Sequence, residues 1–473
     1  MNKRVIIIGG GISGLAAAVH LKSKALHAGK DIQILLLEKS DRAGGKIITE
    51  RKGDFLIEGG PDCFLPEKYW TVQLARLLGL EKEMLPSNEQ WKGTFIYSND
   101  RLHQLPEGVM LMVPTMLWPM VKSRLISWPG KLRMGLDVFI PRKERMGDES
   151  LADFVTRRLG RECLEKIAEP LVAGIHTSDP DNMSVLATFP RFIQMEQKSR
   201  SLILGMISAL KNAPKPAPPS PGMPKITFFM SFVQGMQQLT DACAAYIGHD
   251  SIRFNAGVQA IEPKGKGYLI HLEGGEQLEG EAVMLATAAY EAAEMIKGLD
   301  PDMTRHMKAI NWSSSANISL VFRKEDLKVQ PKGFGFIVPK VENKRRINAA
   351  TWSSIKWLHR APDDYLLVRG FVGGGHHEEL VHKLDDRDLL NAVLEELSII
   401  AGLKAGPKMY QIYRWFKAMP KYIVGHPARM EELDKVVVKH PGLYLIGCSY
   451  KGIGIGECIH HAELAAENFI ETL

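Results

Sequence analysis

Residues 5–46 read as strand, glycine turn, helix, strand and acid, and few folds accept that order. Val5, Ile6, Ile7 and Ile8 form a short apolar run rich in β-branched side chains, the pattern of a strand buried on both faces of a parallel sheet. The run stops at Gly9-Gly10-Gly11-Ile12-Ser13-Gly14, which fits G-x-G-x-x-G at Gly9, Gly11 and Gly14, and helix formers continue from Leu15 to Leu21. In a dinucleotide site the first glycine permits the tight turn and the second lets a pyrophosphate approach the backbone. The third lets helix and strand pack closely, and the helix N-terminus faces the phosphates. A second apolar strand, residues 32–37, ends on Glu38, placed to accept hydrogen bonds from ribose hydroxyls. A lone glycine motif would also fit a structural turn; the full order points to a dinucleotide.

The next residues narrow the dinucleotide. After Glu38 and Lys39 the chain runs Arg42-Ala43-Gly44-Gly45-Lys46. This resembles the flavin-binding signature of amine oxidase-like flavoproteins, in which the extra glycines bring backbone near the cofactor and the arginine contacts phosphates or neighbouring backbone. Residues 53–58 then look like a strand running into Gly59-Gly60-Pro61-Asp62. In related flavoproteins such a turn passes near the flavin. Phe64, Leu65 and Lys68 follow it and should face the reaction chamber, with an exposed helix lysine as the plain alternative for Lys68.

With 473 residues the chain has room for two to four domain-sized units and large cores. Its net charge of +6 permits attraction to anionic small molecules or lipid headgroups but does not argue for nucleic acid. Cys63, Cys163, Cys243, Cys448 and Cys458 are odd in number and scattered, which fits a reducing compartment better than a disulfide scaffold. No metal-ligand spacing appears. The first apolar run is broken by glycines too early for a secretory signal, and no stretch reaches the ~18 apolar residues of a membrane span. A cytoplasmic protein is expected, with peripheral membrane contact left open.

Residues 110–126 come nearest to a membrane segment, but Pro114 and Pro119 break them and Lys122 and Arg124 charge their end. Two short amphipathic pieces fit better, either a greasy lid or a surface placed at a lipid interface by Trp118 and Trp128. Further helices are expected across residues 148–174. Six prolines between 214 and 224 mark a linker over 211–224. Strands are expected at 252–261, which carries Val258, and at 268–272 and 282–287, followed by β-type alternation from about 292 to 391. Finally, residues 443–455 read as a strand entering a glycine-rich loop with Cys448, Ile453, Gly454 and Ile455, and a helix follows. Its N-terminus would suit isoalloxazine carbonyls.

With these residues placed, the chain resembles the protoporphyrinogen/coproporphyrinogen oxidase family of the amine oxidase-like flavoproteins, over nearly its whole length. Besides the two N-terminal motifs, the resemblance rests on Gly60-Pro61-Asp62, Arg200-Ser201-Leu202-Ile203-Leu204-Gly205, Gly335-Phe336, Trp415 with Met419-Pro420-Lys421-Tyr422 and Gly425-His426, and the loop 447–459. The fold class implied is α/β and α+β: a Rossmann-like two-dinucleotide FAD-binding fold, a β-sheet substrate domain and a helical insert. The FAD-binding domain would comprise 1–53, 225–291 and 392–473, the substrate domain 54–103 and 292–391, and the helical lid 104–210. The resemblance also implies noncovalent FAD, held by residues 9–14, Glu38, Lys39, Arg42, Gly44, Gly45, Lys46, Gly60, Pro61, Asp62, Cys63, Val258, Trp415, Ile453, Gly454 and Ile455. Lys68 and Ile175 match cavity-lining positions, and Phe64 joins them. The reaction implied is six-electron oxidation of a porphyrinogen, with molecular oxygen as acceptor and hydrogen peroxide as product. No acid or base is singled out, because desaturation by a flavin asks mainly for positioning. The sequence leans to coproporphyrinogen III, notably at 53–65, 348–359 and 415–432. Protoporphyrinogen IX, an amine substrate, and a non-catalytic flavin protein carrying porphyrin to the next haem-pathway enzyme stay open as alternatives. Covalent attachment at Cys448 is disfavoured, since the surrounding sequence lacks Ser-Gly-Gly-Cys-Tyr.

Overall fold

The computed structural model describes residues 3–91, 93–110, 112–144, 147–212 and 224–473. The proline run at 213–223 therefore lies outside the described residues. Five parallel strands form the first sheet, in the order Ile252–Arg253, Ile32–Leu37, Lys3–Ile8, Ala282–Leu285 and Leu443–Leu445. The strand Lys3–Ile8 sits in the middle, and Val5 to Ile7 are fully buried, as an unbroken apolar run in a two-sided sheet requires. The helix Ile12–His27 crosses one face and packs against the C-terminal helix Ile455–Glu471 through alanines and leucines. An antiparallel three-stranded sheet, Val258–Lys264, Gly267–Leu272 and Gln277–Gly280, covers the other face with Ile261, Ile270 and Leu272. The first and last strands of the chain thus meet in one layer.

The larger sheet has seven strands, ordered Met409–Lys421, Asn311–Arg323, Tyr365–Gly373, Ala349–Trp352, Gly335–Ile337, Thr94–Ser98 and Arg101–Gln104. The helix Asp386–Ala401 buries Leu389, Val393 and Leu397 against this sheet, and Met409–Lys421 is one of its edge strands. The layer therefore continues well past the boundary expected at 391. Edge strands need no strict apolar alternation, and Met409–Lys421 has little, so its pattern did not announce a strand.

A third layer of short helices includes Leu151–Leu159, Glu169–His176, Pro190–Ser199 and Leu202–Asn212, around Phe154, Phe192, Leu202 and Met206. Residues 110–126 contribute a small hairpin strand and the helix Leu117–Lys122, whose Pro119 falls in the first turn where no backbone donor is needed. Among the described residues, no helix is long and apolar enough to cross a membrane, and no cluster of side chains could hold a metal ion.

Glu169 joins this layer to the larger sheet. Its Oε2 accepts the Lys340 backbone N–H at 2.9 Å. Burial pushes its carboxyl up to about 7, Lys340 opposes the shift, and Asp179 and Asp181 add to it. A carboxyl whose folded value is raised stabilises the fold fully below its unfolded value near 4.5, and that contribution is lost as pH rises through about 7. Glu169→Gln should therefore be more stable than wild type at pH 8, by about 2–3 kcal/mol, and should gain nothing at pH 4.5. Urea unfolding at the two pH values checks this; an equal difference at both would rule it out.

Candidate cofactor and substrate site

The glycine turn leaves room on one side only. Gly9 has φ +108°, and its N–H donates across to Leu37 O at 2.8 Å. A Cβ on Gly14 would overlap the Gly9 carbonyl oxygen, whereas a Cβ on Gly11 would meet nothing within 4 Å. That free space lies over the start of the helix Ile12–His27. Gly11 is its N-cap and no side chain caps it, so the first-turn donors at Ile12 and Ser13 have no side-chain acceptor. An open volume facing uncapped N–H groups is what a pyrophosphate requires.

Glu38 is locked beside it. Oε2 accepts Gly10 N–H at 2.6 Å, and Oε1 accepts the N–H and hydroxyl of Ser40, each at 2.8 Å. A carboxylate offers about four acceptor positions, so one remains for a hydroxyl. The Glu38 carbonyl accepts Ala256 N–H, which seats the buried Val258 nearby. Lys39 turns outward and pairs with Glu291.

The loop 42–46 stacks on the turn. Gly44 N–H donates to Gly10 O at 2.8 Å, and a Cβ on Gly45 would lie 3.0 Å from Gly11 Cα. Arg42 spends its guanidinium on the carbonyls of Ala43, Gly45 and Ile47, so it organises this loop. Lys46 reaches the Ala418 carbonyl and lies over the Trp312 ring.

The turn 59–63 comes next in the stack. A Cβ on Gly60 would overlap the Lys46 carbonyl oxygen, so only glycine allows this approach. The larger sheet grips the turn from the other side. Asn317 Nδ2 and Trp415 Nε1 donate to Gly59 O at 2.6 and 2.8 Å, and Arg369 donates to Gly60 O at 2.6 Å. Asp62, after Pro61, accepts from Lys356 at 3.0 Å and Trp357 Nε1 at 2.9 Å. Burial opposes its ionisation, but Lys356, Arg369 and that indole bond outweigh it and hold the carboxyl well below the usual range. Burial and then Asp62 push the neighbouring Cys63 thiol up to about 12, so it stays a thiol. Phe64 is 3% exposed and packs on Phe232, which places its ring in the core rather than on an open chamber wall. Ile175 lies in the helix Glu169–His176, and its side chain is outside the described residues.

The C-terminal loop completes the arrangement. The helix Ile455–Glu471 starts at Gly454, after Ile453, again without a side-chain cap. Tyr422 braces the loop by accepting from Gly452 N–H and donating to Cys448 O, both at 2.8 Å, and the His426 ring stacks on it at 3.9 Å. Burial pushes His426 down to about 4, so it is neutral near pH 7 and suited to that stack. These contacts give Tyr422 and His426 a structural task that their motifs alone did not disclose. Lys68 pairs with Glu457 in the first turn of this helix at 2.9 Å, joining the two ends of the chain.

Two groups of residues escaped the sequence reading. Asn317 and Arg369 stand on strands of the second layer and Lys356 on the short helix Ser353–Lys356; only the family-like stretch 348–359 hinted at Lys356. Glu457 lay in plain sight beside Ile455, but nothing in its spacing pairs it with Lys68.

Residues 12–470 match the sequence profile of the flavin containing amine oxidoreductases. The coproporphyrinogen III oxidase of Bacillus subtilis (strain 168) is 34% identical, with 100% of this chain and 99% of that one covered. Protoporphyrinogen oxidase 2 of Arabidopsis thaliana is 28% identical, covering 100% of this chain and 94% of that one. A crystal structure from Exiguobacterium sp. 255-15, assigned provisionally as a protoporphyrinogen oxidase, superposes with a TM-score of 0.85 at 29% identity, with 100% of both chains covered.

Proposed function

The chain belongs to the flavin containing amine oxidoreductase family, and on that premise we propose that it oxidises coproporphyrinogen III to coproporphyrin III in haem biosynthesis. The observation that carries the choice of substrate is the end-to-end 34% identity with a coproporphyrinogen III oxidase, against 28% for a protoporphyrinogen oxidase. Noncovalent FAD supplies the two-electron acceptor, and three oxygen molecules leave as three of hydrogen peroxide for each macrocycle.

The chain's own residues bind and orient. The space beside Gly11 and the helix start at Ile12 receive the pyrophosphate, and the remaining acceptor position of Glu38 takes a ribose hydroxyl. The stack of 44–46 on 60–63, with Trp415 and residues 453–455, borders the ring system. The thiol of Cys63 carries no charge near pH 7, which suits an apolar macrocycle. Removing hydrogen from such a donor depends on holding its carbon in place more than on a strong base. The exposed Trp118 beside Lys122 and Arg124, and the exposed Trp128 beside Lys131, support a peripheral contact with an anionic membrane surface.

The deciding experiment offers purified protein each porphyrinogen in turn and follows porphyrin fluorescence with oxygen uptake. Higher kcat/KM for coproporphyrinogen III is expected. Preference for protoporphyrinogen IX would exchange the substrate, and porphyrin binding without oxygen uptake would leave a carrier.

Lys68 is the proposed contact for a propionate. Its present partner, Glu457, is a carboxylate in a pair with the Lys68 side chain 43% exposed. Such exposed pairs are worth about 0–1 kcal/mol, so a substrate carboxylate can replace it. Lys68→Ala should lower kcat/KM by about 10- to 150-fold with FAD content intact, which is ~1.5–3 kcal/mol. Lys68→Glu should be worse, by setting carboxylate against carboxylate. Wild-type kinetics for both at low salt would make Lys68 an ordinary partner of Glu457.

A further inference from the structure

Arg369 is more deeply buried than its contacts justify. It stands on the strand Tyr365–Gly373, is 3% exposed, and forms no ion pair among the described residues. Its hydrogen bond goes to the Gly60 carbonyl, its guanidinium lies 5.0 Å from the centre of the Phe371 ring, and its Nε has no hydrogen-bond partner. A guanidinium taken out of water with donors to spare is unfavourable unless something negative completes it. Asp62 attracts it without bonding to it, since the hydrogen bonds of that carboxylate go to Lys356 and Trp357. Two buried cations, Lys356 and Arg369, therefore meet one carboxylate at the turn 59–63. Ser319, directly opposite Arg369 across the sheet, and Asn317 beside it also have side-chain oxygens without partners.

Gly60 connects this charge to the cofactor side. Its carbonyl faces Arg369, and its α-carbon lies against the Lys46 carbonyl, in the loop whose Gly45 touches Gly11. We infer that Arg369 is a positioning residue of the flavin site, which fixes the Gly60 peptide and, with Lys356 against the single carboxylate of Asp62, leaves the turn with a net positive charge favouring the negative charge that the cofactor gains on reduction. The inference rests on the flavin reading and adds an electrostatic source in the second sheet. Attraction through protein is screened far less than in water, so a single buried charge moves the balance between the two redox forms.

The test is the midpoint potential of the FAD-loaded holoenzyme, by equilibration with reference dyes, for wild type, Arg369→Met, Arg369→Lys and Asp62→Asn. Arg369→Met should shift the reduced-to-oxidised ratio at fixed potential at least tenfold towards oxidised, about 30 mV lower for a two-electron couple. Arg369→Lys keeps the charge and should restore most of the shift. Asp62→Asn removes the one anion while leaving an oxygen for Lys356 and Trp357, and should move the potential the opposite way. A purely structural role would weaken FAD binding without this pair of opposite signs. A loaded Arg369→Met with the wild-type potential overturns the inference, as does an unchanged or lowered potential in Asp62→Asn. If Arg369→Met fails to load FAD, the other two variants decide. Wild-type protein that takes up no FAD would sink the flavin reading itself, which is a separate result.

Discussion

Gly11→Val protein is expected to fold as wild type does and to bind no FAD. The backbone at Gly11 is extended, φ −73° and ψ 178°, a conformation that suits a β-branched residue. The Cβ position is empty to 4 Å, so the cofactor-free fold has nothing for the side chain to strike. The same emptiness is where the pyrophosphate must come against the helix start, and the valine methyl groups would fill it. A loss of at least about a thousandfold in FAD affinity is expected, about 4 kcal/mol. Gly14→Val is the control for a structural glycine, because its Cβ would overlap the Gly9 carbonyl oxygen. It should melt early or fail to fold. Two measurements check the pair: thermal melting followed by circular dichroism without FAD, and FAD titration by flavin fluorescence. Full FAD occupancy in Gly11→Val would move the phosphate site elsewhere; early melting of Gly11→Val would make Gly11 a structural glycine too.

The contrast between these two glycines shows what the sequence could and could not disclose. The dinucleotide layer was legible because its signals are local. A buried strand, a turn needing positive φ, a helix start and an acid follow one another within residues 5–38, and each leaves a mark in residue type. The flavin loop was legible for the same reason. Arg42, however, had two open uses, and only the structure shows its guanidinium bound to backbone carbonyls. The family resemblance put Lys39 at the cofactor, yet Glu291, 252 positions away, draws it outward. The clamp on the turn 59–63 was illegible in principle. Lys356 meets Asp62 across 294 positions, and Arg369 meets Gly60 across 309. Such pairings arise only once distant segments are laid against each other, and neither an arginine in a strand nor a lysine in a short helix signals burial. Phe64 erred in the other direction, since an aromatic after a turn fits a chamber wall and a core equally well by type.

The helical layer has its own buried charge, and Asp137→Ala should be the most destabilising single change there. Asp137 and Arg158 are both fully buried. Arg158 Nε donates to Asp137 Oδ1 at 2.7 Å, and its other nitrogens reach the carbonyls of Asp137, Ile140, Pro141 and Arg200. The second carboxylate oxygen accepts the Ser201 hydroxyl at 2.5 Å and the Ile203 N–H at 3.0 Å, and so caps the helix Leu202–Asn212. Ser201 belongs to the family-like stretch 200–205, and this bond is a physical reason for a hydroxyl there. Truncating Asp137 leaves the buried guanidinium with only Glu196, at 3.6 Å and shared with Arg157, as counter-charge, and a helix without its cap. Loss of one partner from a buried pair costs about 3–5 kcal/mol. Replacing both partners by apolar residues of similar volume is far milder, because no charge is then stranded. Asp137→Leu with Arg158→Met should therefore recover most of what Asp137→Ala loses. FAD binding should survive in every variant at low temperature, since the dinucleotide sheet contributes none of these groups. Urea unfolding of the three proteins checks the argument. An Asp137→Ala protein within about 1 kcal/mol of wild type would mean that Glu196 alone compensates Arg158. A double variant no more stable than Asp137→Ala would mean that shape, and not stranded charge, governs this core.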